Sequence, residues 1–159
     1  MALITIDEAL AHCRLEPDYP AEQMLAYIHA AESSVIAYLN RAVFEDQAAL
    51  DAAQTGLSAK VGAAYDAYSA ALQAAMSMKN VGQKEVMIKM AETKYMEARI
   101  SAYRTINAIV INGSIVAAML LTLGNLFQNR ESDVIGVSAA RLPTGVPELL
   151  NGFRVVQMP

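Results

Sequence analysis

The chain has 159 residues with 12 Lys and Arg against 16 Asp and Glu, a formal charge of −4. That balance excludes a strongly basic grip on nucleic-acid phosphates. Hydrophobic residues make up 55%, and 29 alanines stand beside no Trp, 8 Gly and 5 Pro, so strong helix formers dominate and an all-α fold follows. The single cysteine, Cys13, leaves no intrachain disulfide to form. The opening residues reach Asp7 and Glu8 without a basic start or a long apolar run, so an export signal is not expected.

Thr5-Ile6-Asp7-Glu8 has the form of a capping box, in which a hydroxyl and a carboxylate satisfy free amides at a helix start. Ile6, Ala9, Leu10 and Cys13 then follow at the spacing of one helical face, which places the Cys13 thiol inward and favours a core role over a reactive one. This first helix ends near Arg14. A second begins after Pro20, a residue suited to a first helical turn, and Met24, Leu25, Ile28, Ala31, Val35, Tyr38 and Leu39 trace its apolar stripe as far as Asn40.

From Glu45 to about Met78 the sequence becomes Ala-rich. Leu50, Leu57, Ala64, Ala71 and Met78 recur every seven residues, with Val61, Tyr68 and Ala75 as a second series. This is a heptad seam of mostly small side chains, suited to close helix approach. Lys79-Asn80-Val81-Gly82 supplies a turn, and Met87, Ala91, Tyr95, Ala98 and Ala102 form one face of a returning helix. Its polar side includes Glu85 and Lys89, a supportive pair four residues apart.

Thr105 to Asn129 contains no charged residue and is long enough to span a membrane. Asn107, Ser114, Ala118 and Asn125 nevertheless put small or polar groups on one face, and Asn112, Gln128 and Asn129 add amides that are costly in lipid. A central helix buried by its neighbours fits this pattern better. Beyond Glu131 the helical period is lost. Leu142-Pro143-Thr144-Gly145-Val146-Pro147 reads as a hinge, Glu148-Leu149-Leu150 as at most a short turn, and Phe153 to Pro159 as an extended apolar tail that seeks a surface. The expected architecture is a small helical bundle with an inserted Ala-rich antiparallel helical hairpin and an extended C-terminal arm. It divides into N-terminal helices (1–44), hairpin (45–104), central helix (105–131) and arm (132–159).

No constellation for catalysis, cofactor or metal emerges. His12 and His29 lie on different helices without metal-ligand spacing, and His12 and Cys13, being adjacent, point about 100° apart. No phosphate loop, dinucleotide glycine pattern or nucleophile elbow occurs. Asp7-Glu8 and Glu45-Asp46 fall where helix N-termini favour negative charge, and Lys84, Lys89, Lys94, Arg99 and Arg104 wind around their helix. The residues themselves describe a non-catalytic component of an assembly.

Several segments are more specific than their composition. Ile109 to Leu121 runs into Leu126-Phe127-Gln128-Asn129-Arg130-Glu131, followed by Leu142-Pro143-Thr144-Gly145-Val146, Leu149-Leu150 and Phe153-Arg154. Together they resemble the head–tail connector (adaptor) family of tailed bacteriophages, as do Ile4-Thr5-Ile6-Asp7-Glu8-Ala9, His12-Cys13-Arg14, the Ala30 to Val35 series and Tyr38-Leu39-Asn40-Arg41. The resemblance covers about two-thirds of the chain at both ends. Phe127, Gly152 and Cys13 are mild departures from it, and the inserted hairpin is a larger one.

The resemblance implies a virion neck protein forming a ring, generally dodecameric, that docks on the portal protein and carries the tail or a stopper ring. Genomic DNA would pass through the lumen without specific binding. It also implies portal docking by the C-terminal arm, with Leu142, Pro143, Leu149, Leu150, Phe153 and Val155 as candidate contacts and Arg154 facing an acidic portal group. Subunit contacts are expected at the hairpin and central helix, with Asn129, Arg130, Glu131, Tyr68 and Tyr95 as candidates. For Arg130 a local cap and an intersubunit pair both stay open. The alternative is a small single-span membrane protein of holin type built on 105–129, and an enzyme or regulator on a helical scaffold ranks last.

Overall fold

A computed structural model describes residues 2–129 and 145–156. The fold is all-α, with two compact units: residues 1–45 with 109–159, and residues 46–108.

In the first unit, α1 (Ile6–Cys13) opens on the expected capping box. The Thr5 side chain accepts from the Glu8 N–H at 3.2 Å, and Glu8 accepts from the Thr5 N–H at 2.9 Å. These bonds, from the Thr5 backbone first and its hydroxyl second, hold the Glu8 carboxyl below its usual pKa. A group with a lowered folded pKa contributes fully above its unfolded value and loses that contribution as pH falls through the folded one. Thr5→Ala is therefore expected to cost about 1 kcal/mol at neutral pH. The deficit should shrink in acid below pH 4.5, as read from urea midpoints across a pH series.

Arg14 closes α1 in the left-handed conformation, φ 56°, where a side chain is strained. Arg14→Gly should stabilise the protein by about 0.5–1 kcal/mol, the relief of strain outweighing the greater freedom of the unfolded chain. A thermal melt measures this directly.

Helix α2 (Ala21–Leu39) ends on left-handed Asn40. Its Met24, Ile28, Ala31, Val35 and Leu39 are fully buried. They pack with Ile115, Ala118, Met119 and Leu123 of α6 (Gly113–Gln128), together with Ile4, Ala9 and Leu10 from the N-terminal segment and α1. The core is thus α1, α2 and α6, as the apolar stripes require.

One expected element differs. The uncharged stretch 105–129 is not one helix. Residues 105 and 106 end α5 (Val81–Ile106), and Ile109–Val110 forms β2, paired in parallel with β1 (Val43–Phe44). Helix α6 starts only after Asn112, whose side chain caps the Ile115 N–H at 3.1 Å. The β-branched run Ile109-Val110-Ile111 favours extended backbone, and Asn112 supplies a better helix start than any residue before it. No helix among the described residues is long and apolar enough to cross a membrane.

In the second unit, the expected single first arm of the hairpin is two helices, α3 (Gln47–Thr55) and α4 (Leu57–Met76), broken at Gly56. Asp46 caps α3 by accepting from the Ala49 N–H at 2.7 Å. Helices α4 and α5 pack side by side along the heptad seam. Leu57, Val61, Ala64, Tyr68, Ala71 and Ala75 are partly or fully buried on one side, and Met87, Ala91, Tyr95, Ala98 and Ala102 on the other. Asn80 caps α5 through the Gln83 N–H at 3.1 Å.

Candidate functional site

The C-terminal segment is the first candidate surface. Gly145, at φ 66°, leads into α7 (Val146–Leu150), followed by a 3-10 turn at Asn151–Phe153. A helix of five residues has no stability of its own, so its placement depends on what it is attached to. Leu150 is fully buried in the main core, and Val146, Leu149 and Phe153 pack against that core.

Polar bonds fix the rest to the end of α2. The Val155 N–H donates to the Leu39 carbonyl at 2.9 Å, and the Asn40 side-chain amide donates to the Val155 carbonyl at 3.2 Å. Arg41 donates to the Phe153 carbonyl at 3.1 Å, and the Tyr38 hydroxyl to the Asn151 side chain at 2.6 Å. The Arg154 guanidinium lies 4.9 Å from the centre of the Tyr38 ring, a cation–π contact.

The sequence presents this segment as an apolar stretch that seeks a surface, and the surface it rests on is the chain's own core. Leu150 is not an exposed anchor, because its side chain completes the packing of the chain's own helices, and Leu149, Phe153 and Val155 are at most half-exposed. The segment presents outward Pro147, Glu148, Asn151 and Gly152 along with Arg154, on its Tyr38 platform, and Val156. Leu142 and Pro143, expected at the same surface, lie outside the described residues.

The end of α6 is the second. Phe127 stands edge-on between Tyr19 and Tyr27, with ring centres 6.0 and 5.6 Å away, so this aromatic pins α6 to α2 and to the turn before it. Asn129 follows the helix and its side chain bonds to that of Asn125 within the chain. Arg130 and Glu131 lie outside the described residues. Nearby, Cys13 is half-buried at the core margin, and burial pushes its thiol pKa up, which lowers its reactivity at neutral pH.

The hairpin is the third. Tyr68 and Tyr95, expected at a subunit contact, stack on each other across the seam with centres 5.2 Å apart and planes 13° from parallel. Tyr65 joins them 5.9 Å from Tyr95 and remains more than half exposed. Beside this cluster Ala64, Ala71, Met87 and Met90 help to line an apolar groove of about 280 Å³. The small side chains of α4 leave the groove open because alanine cannot fill the space between two helix backbones.

A residue that the sequence reading did not single out is Glu32. It is buried on the apolar face of α2, and its Oε1 accepts from the Leu3 N–H and from the Ile4 N–H at 3.1 Å. It ties the N-terminal segment to the core. The signal was a charged residue inside the stripe, between Ile28 and Val35. Among the described residues no cluster of three or more His, Cys, Asp or Glu is placed to hold a metal ion.

No protein-family model matches the chain, and neither the curated proteins nor the solved structures include one significantly similar to it.

Proposed function

We propose that this chain is a structural virion protein, a head–tail connector of a tailed bacteriophage. In this reading it forms a ring of twelve copies below the portal protein, carries a stopper or tail-completion protein, and lets genomic DNA pass. It acts without turnover or cofactor, in the virion neck after assembly in the host cytoplasm. One observation carries the reading. The segments that resemble the family are separated in sequence by residues 46–108, yet those that are described belong to one compact unit, while the inserted hairpin forms the other. A net charge of −4 suits a passage that must not hold phosphates tightly.

The docking surface for the portal is the outward side of the C-terminal segment. Its test is to mix the purified chain with the portal protein of the same phage and follow binding by light scattering and electron microscopy. Truncation at residue 142 is unsuitable, because it removes Leu150 from the core. Arg154→Glu with Val156→Asp changes only exposed side chains and should weaken portal binding while leaving the helical signal intact. A wild-type chain that does not bind the portal, or that is extracted only with detergent, would overturn the connector reading.

A further inference from the structure

We propose that the C-terminal segment, residues 145–156, is exchanged between copies of this chain. Its α7 and the residues after it seat on α2 and α6 of the next copy, and each copy receives the segment of the one before. The inference rests on the ring reading above and identifies the bond that closes the ring.

The segment is a small plug in a larger seat. Leu150 alone in it is fully buried, with Val146, Leu149 and Phe153 partly buried around it. Its polar bonds all reach the end of α2 or the residues just beyond. The Tyr38 hydroxyl, the Asn40 amide and Arg41 donate to Asn151, Val155 and Phe153, and the Val155 N–H donates to Leu39. The seat has its own packing, because Met24, Ile28 and Val35 of α2 share one core with Ile115 and Met119 of α6. It therefore persists while the segment is away.

The connection is out of proportion to the gap it bridges. Residues 129–145, seventeen in all, separate the end of α6 from the start of α7, although α7 packs on α6 itself. About two to eight residues are usual between neighbouring helices. At about 3.3 Å per residue this connection reaches as far as about 55 Å, well beyond the roughly 30 Å width of a domain of this size. The seat on the next copy lies within that reach. Extra length adds little to the entropy of closing a loop, so the two seats are accessible on similar terms.

The occupant of the neighbouring seat is defined by the fold. A second copy carries the identical segment, matched to the seat by the contacts described above. Exchange of an identical element joins copies at low cost, because each bond broken within one chain is remade with the next. Every chain has one segment to give and one seat to fill. Passed in one direction, the segments make a heterologous contact, and a closed ring leaves no seat empty.

The test links Tyr38 to Asn151, whose side chains meet at the surface in a 2.6 Å hydrogen bond. The full chain carries Tyr38→Cys and Asn151→Cys with Cys13→Ala, and a short bismaleimide joins the two new thiols. Circular dichroism checks that helicity is kept. In dilute solution the link should form within single chains. After assembly on the portal, the yield of linked dimers and larger products should rise by about tenfold or more, because the next seat in a ring stands at millimolar effective concentration. A mixture of two chains with one new cysteine each should give linked pairs once assembled.

Assembled rings without links between copies would overturn the exchange and keep the connector reading. Products that stop at the dimer would also overturn it, because reciprocal swapping closes pairs and not rings. Larger linked products from a concentrated chain that never binds the portal would keep the exchange and overturn the connector reading. Links within single chains at every concentration, and no binding to the portal, would overturn both.

Discussion

Replacing Leu150 by alanine is expected to destabilise the first unit by about 2–5 kcal/mol, the range for removing a fully buried leucine and leaving a partly relaxed cavity. Leu150 has no exposed surface, and it is the only residue of α7 in the fully buried core. Its burial is what offsets the entropy of ordering a segment too short to be helical alone. The loss should therefore extend beyond the cavity. The Val155 amide, bonded to the Leu39 carbonyl, should exchange its hydrogen much faster in the variant. Urea denaturation gives the first quantity and amide exchange the second. Val156→Ala, at a position 71% exposed, is the control and should fall within about 0.5 kcal/mol of wild type.

Glu32→Ala should cost about 3 kcal/mol. Two backbone donors, Leu3 N–H and Ile4 N–H, converge on one side-chain oxygen, and removing it leaves both without their acceptor near the buried Ile4 side chain. Glu32→Gln keeps an oxygen acceptor at the same reach and should recover most of the loss, to within about 1 kcal/mol of wild type. Equal effects of the two substitutions in urea titrations would show that the packing of the side chain, and not its acceptor, holds the N-terminal segment down.

What was legible in the sequence follows the reach of each physical signal. Periodicity along a single helix revealed faces well. The heptad series through Leu57, Val61, Ala64, Tyr68, Ala71 and Ala75 is the seam side of α4, and Met87, Ala91, Tyr95, Ala98 and Ala102 line the facing side of α5. The capping box at Thr5 was legible because every atom it needs lies within four residues.

Boundaries inside uniform composition were not legible in the same way. Without a charge between residues 105 and 129, the end of α5, the strand Ile109–Val110 and the start of α6 look alike in hydropathy. Only Asn112 and the β-branched run before it mark the change. Gly56 likewise breaks an Ala-rich stretch that keeps its heptad register on both sides.

Relations between distant residues were the least visible. The stacking of Tyr68 on Tyr95 depends on the register between two helices, and no spacing within either one encodes it. Leu149 and Leu150 read as at most a short turn and Phe153 as part of an apolar tail, and which of them is buried shows only when α6 and the end of α2 are placed beside them. Among the candidate contacts, then, sequence identified the apolar residues, but which of them turn inward was decided by tertiary packing.

The attachment of the C-terminal segment has a consequence for biosynthesis. Its bonds to Tyr38, Asn40 and Arg41 join residues 112 to 115 positions apart in the chain. The last of these partners leave the ribosome only after α1 to α6 have all been made. Helices α4 and α5, by contrast, find each other within a short stretch of consecutive chain and meet while the ribosome is still at work. Until Leu150 and Val155 emerge, the part of α6 and the end of α2 that receive them stand uncovered, so the nascent chain has its hairpin formed but its core unsealed. Sealing of this core therefore waits on the last described segment, and a product terminated before Leu150 would display the open surface to the cell's quality control.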